Sequence, residues 1–178
     1  HAIEAYIGRS NTKATKKAAL DAIQGIHQSL VQSYEHPDDL KARMDMLKAS
    51  FLAGYAFTRA YVGNIHAIAH TYGGFYNVPH GYANAIIMPH VLTFYGKHVH
   101  HKLTLIYDHI CLGDPTLSKA QKSTKVIEWI ESLNQKMGIP KYIEIKEFKH
   151  LEQMAERAHK EANPLYPVPK ILKVEDFK

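Results

Sequence analysis

Thirteen histidines in 178 residues are the one compositional feature with obvious chemical content. Imidazole is the commonest metal-ligating side chain and titrates near neutral pH, so the positions of these residues matter more than their number. The most informative run is Gly63–Gly81, GNIHAIAHTYGGFYNVPHG. His66 and His70 are four apart, which on a helix puts them on one face, about 6 Å apart along the axis. Tyr72-Gly73-Gly74 is expected to end that helix, and Pro79 to open the next one with His80 in its first turn. A return of this kind would bring His80 beside His66 or His70, and three imidazoles in one place suit Zn²⁺ or Fe²⁺. Spacing alone pairs His66 with His70. Small neighbours (Ala67, Ala69, Gly63, Gly73, Gly74) allow close approach of backbone or ligand. No Glu stands between the histidines as HExxH hydrolysis requires, and no Cys-rich zinc-finger spacing is present.

The elements that must position these residues read as helices almost throughout. Leu20, Ile23, Ile26 and Leu30 recur at helical steps, with Ser10 or Thr12 available as cap. Pro37-Asp38-Asp39 breaks the chain, and Leu40, Met44, Leu47, Phe51 and Tyr55 then form a second stripe expected to be buried. A third runs Val126, Ile130, Leu133, Met137, begun near Thr116 or Ser118 and stopped by Gly138. A fourth is Leu151, Met154, Ala155, Ala158, before NPLYPVP, whose prolines predict an extended segment. KYIEIKEF is the nearest candidate for a strand. The fold class is therefore mostly α, a helical bundle, with no internal boundary over residues 1–178.

Composition closes off other classes. Hydrophobic residues at 46% and charged residues at 22% describe a globular chain. No apolar run reaches the roughly 20 residues of a membrane span. The net charge of +5 is spread over interleaved lysines rather than gathered in a stripe, which argues against nucleic acid. The single cysteine, Cys111, excludes an internal disulfide and fits a reducing cytoplasm; its apolar setting predicts a buried thiol. GxGxxG and Walker loops are absent. A start at His1 in full helical stride suggests a fragment, and if the protein uses a nucleotide another part of the polypeptide must hold most of it.

The run HAIAHTYGGFYNVPHGYANAIIMPHV resembles the signature of iron-containing (group III) alcohol dehydrogenases. HAIEAYIGRSNT, AGYAFTRAYVG and NPLYPVP extend the resemblance over nearly the whole chain. It implies the all-helical C-terminal metal- and substrate-binding domain of such an enzyme, built like that of dehydroquinate synthase. His1, His66 and His80 correspond to metal ligands, with the family's Asp ligand falling upstream of His1. His70 corresponds to the proton-transfer histidine and Phe57 to a position lining the substrate pocket. His90 is expected in a structural or supporting role, and His98, His100 and His101 on a solvated surface.

The implied reaction interconverts an alcohol and an aldehyde or ketone with NAD or NADP, using Fe²⁺ or Zn²⁺ as Lewis acid. The implied partners are small-molecule substrates, with no nucleic acid and no membrane, and a homo-oligomer is compatible with the family. The isolated chain is expected to be inactive. The alternatives are a zinc-dependent glycerol dehydrogenase-like relative, a dehydroquinate-synthase-like lyase, or a non-catalytic helical metal-binding fragment.

Overall fold

The computed structural model describes residues 1–178 as eight α-helices and two short 3-10 helices, without a β-strand. The α-helices are α1 (Ala2–Ile7), α2 (Lys13–Glu35), α3 (Leu40–Ala60), α4 (Asn64–Tyr76), α5 (His80–Tyr95), α6 (His100–His109), α7 (Lys119–Lys136) and α8 (Leu151–Ala162). The mostly α bundle is thus as the periodicity requires. α2 and α3 form the most extensive pair; α1 is laid against both, α5 and α6 pack on α7, and α4 sits between α5 and α8. Every residue of α1 is buried, so this single short helix is a fixed post in the core rather than a frayed end.

Local chemistry explains most boundaries. Thr12 starts α2 in a reciprocal capping box with Thr15, and Ser118 does the same for α7 with Gln121, so in each helix the N-cap and N3 backbone donors find side-chain oxygens. Asp39 caps α3 through the Ala42 N–H. Beyond α7, Gly138 takes φ +69°. Its N–H returns to Gln135 O, and that of Ile139 to Asn134 O, the paired bonds that close a helix C-terminus.

Several expectations are corrected. The α3 stripe faces outward: Leu40, Met44, Leu47, Phe51 and Tyr55 are all exposed, while Ala42, Ala49, Ala53, Ala56 and Ala60 form the buried face. The reason is closeness. A methyl group placed on Gly25 of α2 would lie 3.1 Å from Ala49 Cβ, a separation that admits only small residues. Tyr72-Gly73-Gly74 does not end α4, which runs on to Tyr76 and stops where Asn77 turns left-handed at φ 55° and its N–H bonds Gly73 O. Gly73 and Gly74 keep the helix because their i→i−4 bonds are retained and nothing crowds them.

KYIEIKEF forms bends, not a strand, and NPLYPVP begins with a turn at Asn163–Leu165 before extending. Having no partner strand, the first lacks the ladder that would hold it extended. In the second, the Tyr166 N–H reaches back to Ala162 O. Cys111 is exposed, left at a φ of 51° on the turn that follows α6.

Candidate metal centre

Three elements converge on the histidines. His1 stands at the entrance of α1, His66 in the first turn of α4 and His80 at the first position of α5 behind Pro79. One nitrogen from each of His1, His66 and His80 lies within 4.8 Å of the others. The His66 ring centroid is 4.5 Å from that of His1 and 5.2 Å from that of His80. His70, one turn along α4, stacks on His80 at 5.3 Å but is not part of the converging trio. The pairing suggested by spacing, His66 with His70, is an edge-on contact at 5.8 Å, and the nitrogens that converge are instead those of His66 with His1 and His80. Phe57 projects from α3 and stacks on His1 at 4.1 Å.

His66 is the anchored member. Its side chain is 5% exposed and donates from Nδ1 to Glu4 Oε2 at 2.5 Å. A carboxylate only accepts, so Nδ1 carries a proton, and in the neutral ring Nε2 keeps its lone pair. That Nε2 lies 3.2 Å from His1 Nε2. In a tetrahedral site with metal–nitrogen bonds of about 2.0–2.1 Å, ligand nitrogens fall ~3.3 Å apart. Two ring nitrogens this close need a proton or a cation between them, and the donor set and spacing fit a divalent ion bound by imidazoles.

His80 is more open to solvent. Partial desolvation first, then the neighbouring His66 and His70, hold its pKa below the ordinary histidine value, which favours the neutral, ligating form. Asn84 Nδ2 donates to the His80 carbonyl at 2.9 Å. His1 also lines an apolar cavity of about 230 Å³ with Ile26, Leu30, Met88 and Trp129.

His70 has its own carboxylate. Its Nδ1 donates to Glu161 Oε1 at 2.6 Å, and the two side chains are 42% and 30% exposed. Tyr166 donates to the same oxygen at 2.8 Å; burial first, then Glu161, raise the Tyr166 pKa and keep the phenol protonated. Neither Glu4 nor Glu161 stands out in the sequence, because each is 62 or 91 residues from its histidine. The other expected histidines lie elsewhere: His90 bonds Lys141 O and stacks on Tyr142, while His98 and His101 are exposed and His100 half-buried.

Residues 1–177 match the model of the Fe-containing alcohol dehydrogenase family, C-terminal part. This chain belongs to that family. It is 37% identical over 165 residues to 1,3-propanediol dehydrogenase of Citrobacter freundii, covering 92% of this chain and 43% of that protein. Identity to NADPH-dependent butanol dehydrogenase of Clostridium saccharobutylicum is 38% over 164 residues, covering 89% and 41%. Among solved structures, a 1,3-propanediol oxidoreductase superposes with TM-score 0.93 at 35% identity, over 99% of this chain and 47% of that one. The alcohol dehydrogenase from Oenococcus oeni gives TM-score 0.91 at 29% identity, over 98% and 46%. The chain thus spans less than half the length of these family members. No helix is long and apolar enough to cross a membrane.

Proposed function

We propose that this chain is the metal- and substrate-binding part of an NAD- or NADP-dependent alcohol dehydrogenase acting on small alcohols, with His1, His66 and His80 as ligands of Fe²⁺ or Zn²⁺. The observation carrying the reading is the convergence of three imidazole nitrogens within 4.8 Å on a family whose named members oxidise alcohols. The family's aspartate and nucleotide-binding domain would come from outside these residues, and the assembled enzyme would work in a reducing cytoplasm. When bound, the metal supplies Lewis acidity toward the substrate oxygen and the nicotinamide accepts hydride.

The chain's own residues would do the rest. Glu4 holds His66 at Nδ1, leaving Nε2 for the ion. Phe57, packed on His1, would shape the wall against which the substrate's carbon chain rests. His70 would accept the substrate hydroxyl proton at Nε2, since its Nδ1–H is committed to Glu161; Glu161, itself bonded by Tyr166, steadies the imidazolium so formed.

Zinc titration of the purified chain tests this reading. Stoichiometric binding is expected for the wild type and for His70→Ala, with loss of binding in His66→Ala and His80→Ala, measured by elemental analysis after dialysis. Equal loss in all three variants would overturn the division of roles, and no binding by the wild type would overturn the metal assignment. The chain alone is expected to show no nicotinamide-dependent turnover.

A further inference from the structure

We propose that Glu4 is a positioning residue that fixes the tautomer and ring orientation of His66, tying α1 to α4 so that the cation-facing nitrogens of His1 and His66 stay in register. The inference rests on the metal-binding reading above. Nothing in the sequence pattern of the histidines announces it; it comes from where the carboxylate lies.

Both oxygens of Glu4 are engaged. Oε1 accepts the Ile65 N–H at 2.9 Å. Oε2 accepts His66 Nδ1–H at 2.5 Å and, more weakly, the His66 N–H at 3.4 Å. These backbone donors belong to the first turn of a 13-residue helix, where orphan N–H groups and the helix dipole favour a negative charge. The cap Gly63 supplies no side chain of its own, so Glu4 is the cap delivered from another helix.

The space is made for it. A Cβ on Gly63 would fall 2.7 Å from Glu4 Oε1, closer than side-chain carbons approach an oxygen without displacing it. Absence of a side chain at Gly63 therefore leaves room for the carboxylate. Glu4 is 4% exposed, so water cannot replace it as acceptor.

Two consequences distinguish positioning from capping. An acceptor-only group at Nδ1 forces a proton onto that nitrogen, so that in the neutral ring it is Nε2 that is left bare, the state a metal requires. Moreover, Glu4 lies three residues from His1 on α1, within one helical turn. One rigid turn thus carries both a candidate ligand and the group that aims its partner, which accounts for the 3.2 Å separation of the two Nε2 atoms.

Glu4→Gln separates these roles. Glutamine keeps the length and can still accept the Ile65 N–H through its carbonyl, but it turns an NH₂ toward Nδ1, which must then become an acceptor. Long-range ¹H–¹⁵N spectra of the chain, with His66→Ala to assign the ring, should show His66 protonated at Nδ1 in the wild type and at Nε2 in Glu4→Gln. Zinc affinity should fall by about 10- to 100-fold with helical content retained, and Glu4→Asp, which remains acceptor-only, should restore the wild-type tautomer.

An Nε2-protonated His66 in the wild-type chain would overturn the proposal without any variant. So would a Glu4→Gln protein with the wild-type tautomer, or one whose tautomer changes while zinc affinity does not. Failure of the wild-type chain to bind zinc, with the tautomers as expected, would instead sink the metal reading and leave Glu4's hold on the ring intact.

Discussion

Helix α4 carries two histidine–carboxylate pairs four residues apart, and they are built to opposite specifications. His66–Glu4 has both side chains at 5% exposure or less, and its carboxylate also caps the helix. His70–Glu161 is 42% and 30% exposed, and its carboxylate is shared only with the Tyr166 hydroxyl. The same two functional groups, at nearly the same distance, thus sit in opposite surroundings. A pair sealed from water holds one geometry because every alternative leaves a buried polar group unsatisfied. A pair open to water can exchange protons and partners at little cost, which is what the role proposed for His70 asks of it.

The largest expected effect follows from removing the sealed partner. Glu4→Ala leaves the Ile65 N–H and His66 Nδ1 without acceptors and should lower stability by about 3–5 kcal/mol in urea unfolding. Glu161→Ala, in contrast, should cost less than ~1 kcal/mol. Equal losses would break the distinction between the two pairs.

An intermediate effect is expected from crowding the sealed pair indirectly. Gly63→Ala must displace the Glu4 carboxylate and should cost about 1–3 kcal/mol. Gly74→Ala, on the same helix but with nothing within 4 Å, should stabilise by about 0.5–1 kcal/mol. Matching signs for the two would show that the space at Gly63 is not reserved.

The smallest effect concerns a histidine with no carboxylate. His27 packs edge-on to Trp129 with Nδ1 buried and unpartnered, and desolvation holds its pKa below 6.5. The unfolded chain therefore takes up this proton at higher pH than the folded one. Its contribution to stability is present above pH 6.5 and lost as pH falls through the window between the unfolded and folded pKa values. Midpoints of urea unfolding from pH 7.5 to 5 should fall with a steeper slope than in His27→Phe.

Much of the fold was legible because its signals are local. Thr12 and Ser118 are caps with their partners three residues on, and Gly138 is a stop at the end of a clear stripe. The α3 stripe misled because hydropathy weights Leu, Met and Phe above Ala, while the α2–α3 packing selects for small size at Ala49 and Ala53. The end of α4 misled for a related reason: glycines terminate a helix only where the chain needs a left-handed residue, and here Asn77 takes that conformation. Cys111 sits among apolar neighbours in sequence yet on an exposed turn.

At the candidate site, the sequence alone determined the family and nominated His1, His66, His70, His80 and Phe57, because those residues lie in continuous motifs. It also dictated that His80 opens a helix, since Pro79 is suited to that boundary. Only the tertiary structure decided which histidines converge, and that each of two carboxylates holds one ring. Glu4 and Glu161 reach their histidines across 62 and 91 residues of chain. No periodicity encodes such a contact; it exists because the buried α1 aims Glu4 at the start of α4 and α8 packs on α4.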